Sequence, residues 1–121
     1  MKSLFLSIVL FLILSVTSVN AQSHNHRLTI GNISGQTIMK LYISPSSTRD
    51  WGIDRLGDTV LPTNDFRYID ILGHNYYDIK SVARDGSVCQ IAKILLDKDK
   101  TFWLEPSRCY VEASPVTTDN Y

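Results

Sequence analysis

YYDIKSVARDGSVCQIAKILL, running from Tyr76 to Leu96, decides how the rest of the chain is read. Tyr76 to Arg84 has the character of one strand, and Ser87 to Leu96, ending in the apolar run Ile94-Leu95-Leu96, that of its partner. Between them Asp85-Gly86 is a two-residue hairpin signal, because a type I′ turn places both central residues at positive φ. Upstream, Phe66 to Leu72 alternates Ile69 and Ile71 against Tyr68 and Asp70, and Gly73-His74-Asn75 turns the chain. That period of two marks a strand with one face buried. Downstream, Asp97-Lys98-Asp99-Lys100 is a charged turn, TFWLE (Thr101 to Glu105) is a strand, and one more short strand fits around Cys109 to Val111.

The N-terminal half follows the same rule. His26 to Ile33 sets Leu28 and Ile30 against Arg27 and Thr29, and Thr37 to Ser44 sets Met39, Leu41 and Ile43 against Lys40 and Tyr42. Ser34-Gly35-Gln36 between them is short enough to predict an antiparallel hairpin. Six to seven short strands, turns every eight to twelve residues and no long amphipathic helix predict an all-β fold: a small antiparallel β-sandwich or partly open barrel.

Met1 to Ala21 reads as a signal peptide: Lys2, an apolar core from Leu4 to Leu14, then the small-residue site Val19-Asn20-Ala21. Cleavage predicts a single domain from Gln22 to Tyr121, secreted or periplasmic and without a membrane anchor, with Thr117 to Tyr121 as a polar tail. The whole chain has 12 basic and 12 acidic residues, and losing Lys2 gives a net charge of −1. Such a balance lacks the basic face that nucleic-acid binding needs. Two cysteines in an oxidising compartment, Cys89 and Cys109, predict one disulfide.

LYISPSSTRDWGIDRLG, Leu41 to Gly57, holds the densest chemistry. Pro45 ends the preceding strand. Ser47 with Asp50 resembles a capping box and predicts a single helical turn near Thr48 to Ile53, with Trp51, Ile53 and Leu56 as apolar anchors. The candidate binding loop comprises Tyr42, Arg49, Asp50, Trp51, Asp54 and Arg55. Tyr42 and Tyr68 also stand opposite the aliphatic faces of their strands, as recognition aromatics do.

Asn32, Ser34-Gly35, Ile38, Leu41-Tyr42, Ser44-Pro45, Trp51-Gly52, Asp54 and Leu56-Gly57 together resemble a family of small exported, largely uncharacterised bacterial proteins with an LYxSP…WGxDxLG motif. Leu61-Pro62 and Tyr77-Asp78 fit its later part, although Thr63-Asn64 replaces the glycine that usually follows the proline. The resemblance implies an exported small β domain and names no activity.

These features favour a non-enzymatic binding module, without cofactor, for a protein or an envelope glycan. A metal-binding protein is the alternative. Asp50, Asp54 and Asp58, with Ser46, Ser47 and Thr48, offer oxygens for calcium. Gln22-Ser23-His24 offers copper a square of nitrogens. A small hydrolase ranks third. The only histidines are His24, His26 and His74, and no G-x-S-x-G elbow is present.

Overall fold

Alternation sorts the strands into layers. The computed structural model describes residues 25–113, and the expected signal peptide, Gln22-Ser23-His24 and the expected C-terminal tail lie outside them. Seven strands form: β1 (Asn25–Asn32), β2 (Ile38–Pro45), β3 (Asp65–Leu72), β4 (Asn75–Ala83), β5 (Val88–Leu96), β6 (Lys100–Leu104) and β7 (Cys109–Ala113). One sheet has the order β3-β1-β6-β7 and the other β2-β4-β5. Every neighbouring pair is antiparallel except β1 and β6, which run parallel. The sheets pack as a sandwich and do not close into a barrel.

Leu28 and Ile30 of β1, Ile69 and Ile71 of β3, and Phe102 and Leu104 of β6 form the inner face of the four-stranded sheet. Ile38, Leu41, Ile43 and Ile79 oppose them from the other sheet. Cys89 on β5 and Cys109 on β7 form a disulfide with Cα atoms 6.1 Å apart, tying one sheet to the other. Such a bond belongs to an oxidising compartment.

Five local expectations are corrected. β1 and β2 do not form a hairpin. The Ile33 amide donates to the Leu104 carbonyl (2.8 Å), while the Thr37 carbonyl accepts from Arg84 (2.9 Å), so the chain crosses between sheets at this turn. Asn32, fully buried, holds the crossing. Its Nδ2 donates to the carbonyls of Gln36 (2.8 Å) and Leu61 (3.0 Å), and its Oδ1 accepts from the amide and hydroxyl of Ser34. The Asp85-Gly86 hairpin does form, but not as a type I′ turn. Gly86 is at φ 87 while Asp85 has no positive φ, and the Gly86 amide closes on the Ala83 carbonyl at 2.9 Å. This is the longer hairpin loop in which one glycine takes the left-handed position. A register shift between Ile38 and Lys40 turns Met39 outward and puts Ile38 in the core.

The predicted helical turn at Thr48 to Ile53 is absent, and no helix occurs among the described residues. The Ser44 hydroxyl donates to the Asp50 carbonyl (2.6 Å), and Gly52 at φ 76 redirects the chain before a helix can propagate. Leu56 is buried as expected. Ile53 is not an anchor: it is 76% exposed.

Candidate functional site

The loop after β2 runs back along that strand's outer edge. The Arg55 amide donates to the Leu41 carbonyl (2.7 Å), and Leu41 donates to Asp54 Oδ1 (3.0 Å). Asp54 Oδ1 also accepts from the Leu56 amide (3.0 Å). Farther on, Ile38 and Leu61 exchange two backbone hydrogen bonds of 2.9 Å. The β2 edge of the three-stranded sheet is therefore covered, which protects that edge from pairing with another chain.

The candidate loop residues divide by this geometry. Asp54 is engaged by backbone, and Arg55 is half-buried with its amide on β2. Arg49 and Asp50 are exposed. Tyr42 and Trp51, both half-buried, come together with ring centroids 6.3 Å apart. Lys80, cross-strand from Tyr42, sets its ammonium 4.9 Å from the tyrosine ring and 4.7 Å from the indole. The aromatic pair thus already holds a cation of its own. Asp50, Asp54 and Asp58 do not gather: no cluster of three His, Cys, Asp or Glu side chains suited to a metal occurs among the described residues.

A second surface lies on the outer face of the four-stranded sheet. Register sets Phe66, Gly31, Trp103 and Tyr110 in one row across β3, β1, β6 and β7. Tyr68, Thr29, Thr101 and Glu112 form the next. Gly31 makes the first row possible. A Cβ there would stand 2.6 Å from Trp103 Cζ3 and 3.3 Å from Phe66 Cε1, so the indole occupies the space over the glycine. Phe66 meets Trp103 edge-on, with centroids 6.1 Å apart at 77°. The indole Nε1 donates to Glu112 Oε2 at 3.0 Å, which fixes its direction. Phe66 is 50% and Tyr68 63% exposed.

Charged groups frame these rings. The Arg27 guanidinium stands 4.9 Å from the Tyr68 ring centroid, and that of Arg108 4.6 Å from the Tyr110 ring. Glu105 accepts from Arg108 Nε (2.8 Å) and from the Tyr110 hydroxyl (3.0 Å). Those two bonds, Arg108 first, hold its carboxyl below the usual range, and the same carboxylate raises the Arg108 guanidinium and the Tyr110 phenol. At this end of the sandwich a cleft of about 370 Å³ opens among Ser34, Gln36, Ser81, Asp85, Glu105 and Arg108.

Of this face, the sequence reading singled out only Tyr68. Phe66, Trp103 and Tyr110 were missed as a set because they come from three strands whose order is not local. A local signal existed: Gly31 interrupts a strand, which marks a close approach by another group.

Fold and surface together define a two-sheet, seven-stranded β-sandwich with one disulfide and an aromatic outer face. No family model matches the sequence, and no curated protein matches it. Among solved structures, the chain is similar to a protein from Eubacterium rectale determined by NMR, at 16% identity and a TM-score of 0.52. The similarity covers 78% of this chain and 93% of the other, and it is a likeness of fold.

Proposed function

We propose that the protein is a small non-enzymatic binding module, secreted or periplasmic in a bacterium, that holds an envelope glycan on the outer face of its four-stranded sheet. The aromatic row, with Phe66 and the neighbouring Tyr68 exposed and Trp103 and Tyr110 half-buried, is the observation that carries this reading. Phe66, Trp103 and Tyr110 span three interstrand steps, about 14 Å, enough for a short oligosaccharide. Ring faces stack against the apolar faces of sugars, while Arg27, Asp70, Glu112 and Arg108 can hydrogen-bond hydroxyls at the margin. The disulfide, the signal-like start of the sequence and the resemblance to small exported proteins support the location.

The test is titration of soluble peptidoglycan fragments and chitin oligosaccharides into the protein, read by tryptophan fluorescence. Binding is expected, with affinity falling at least tenfold in Tyr68→Ala while the melting temperature stays within about 2 °C. No binding by any of these sugars, together with capture of a protein through Phe66 and Leu72, would replace the glycan reading with a protein partner.

A further inference from the structure

His26 is the second residue of β1, and its alternation with Leu28 and Ile30 points its side chain between the sheets at one end of the sandwich. Opposite it in register is Ile71. The chain leaves β3 at Leu72, turns through Gly73 at φ 73, and brings His74 onto His26. The two ring centroids lie 4.8 Å apart, tilted by 51°. His26 is half-buried and His74 exposed. The Nε2 of His26 is buried with no hydrogen-bond partner among the described residues. A buried imidazole nitrogen is ordinarily bonded, so this one has donor or acceptor capacity that the surrounding protein does not use.

We propose that His26 and His74 form a binding site for a divalent late transition-metal ion, with zinc as the probe. Imidazole is a favoured ligand of zinc, copper and nickel. At a metal–nitrogen distance of about 2.0–2.1 Å and an angle of about 90–110°, two imidazoles sharing one ion place their centroids roughly 4.5–5.3 Å apart. The observed separation lies within that interval. Gly73 matters because its left-handed backbone lets the chain double back within one residue. Asp99, whose Oδ1 accepts the Arg27 amide at 2.7 Å, adds a carboxylate next to the histidine strand. The Lys100 ammonium, the nearby positive charge on β6, is engaged by the Leu95 carbonyl and by Asp97 at 3.6 Å. No third side-chain ligand joins the pair among the described residues, so the site is open, and water or a donor atom from a bound molecule completes the coordination.

The experiment is isothermal titration of zinc chloride into the purified protein, with the imidazole nitrogens followed by NMR. Zinc is chosen because the amino-terminal Gln22-Ser23-His24 donor set suits square-planar copper and nickel. One zinc per chain is expected, with the ring nitrogens of both His26 and His74 shifting. His74→Asn and His26→Gln should each weaken binding at least tenfold. His74 is exposed in a turn, so its substitution should leave the melting temperature of the zinc-free protein unchanged and the result readable even if His26→Gln unfolds. Unaltered zinc affinity in His74→Asn, or no binding at millimolar zinc, overturns the proposal.

Discussion

The loop along β2 and the outer face of the four-stranded sheet make opposite use of their residues. The loop holds most of the charged and hydroxyl side chains that drew notice in the sequence, yet those that are engaged mainly bond backbone of the loop and of β2. Asp54 takes two amides, Ser44 a carbonyl, and Tyr42 with Trp51 takes Lys80. The sheet face comes from residues scattered over four strands, and Phe66 and Tyr68 on it remain open to solvent while Trp103 and Tyr110 are half-buried. Local density of polar residues therefore marks a place where backbone needs partners. Recognition surface is better sought where large apolar side chains emerge exposed on an outer face.

Several substitutions would sharpen or break this contrast. The largest effect should come from the edge opposite the loop, where Cys89 and Cys109 tie β5 to β7. Replacing both by alanine is expected to lower stability by about 3 kcal/mol for a 20-residue separation, measured by urea unfolding. Asp54→Ala should follow at about 2 kcal/mol, since it strands two backbone amides, and Asp54→Asn should recover most of the loss. A cost below about 0.5 kcal/mol would mean the loop is not held to β2 as described. On the sheet face, Gly31→Ala should cost about 1–2 kcal/mol by driving the Trp103 ring off its seat, with a visible change in tryptophan emission. An unchanged spectrum would show that the indole does not occupy the space over Gly31.

The smallest effect is one of pH. Asp78 Oδ1 accepts from the Ser46 hydroxyl (2.7 Å) and the Lys93 amide (2.9 Å), and these bonds hold its carboxyl below the ordinary range. A depressed folded-state value contributes stability that is fully present above the unfolded value, about 3.9, and is lost as pH falls through the folded one. Thermal stability should therefore weaken below about pH 4, and Asp78→Asn should flatten that limb of the curve. Equal acid sensitivity in the variant would place the effect on other carboxylates.

The strands were legible because burial on one face writes itself into the sequence every second residue, as at Leu28/Ile30 and Ile69/Ile71. The disulfide was legible because only two cysteines were available to pair. The crossing at Ser34-Gly35-Gln36 was not, since a short turn looks alike whether its strands bond each other or separate sheets. What distinguishes them is Asn32, whose side chain bonds Leu61, a residue no local window contains. The aromatic face stayed hidden for the same reason. Phe66 and Trp103 are neighbours only through Gly31, once β3, β1 and β6 are placed in order.

The parallel pairing of β1 with β6 bears on how the chain comes into being. Asn32 is aligned with Leu104, and the whole three-stranded sheet is made in the interval between them. At ordinary rates of synthesis that interval lasts roughly 4–14 s, during which the first strand lacks one of its two neighbours. Contacts so distant in sequence also slow folding. A chain organised this way can pair its amino-terminal strand with β3 early, but cannot close the other side of that strand until nearly all of it has emerged. Its shape is complete only when the end arrives to enclose the beginning.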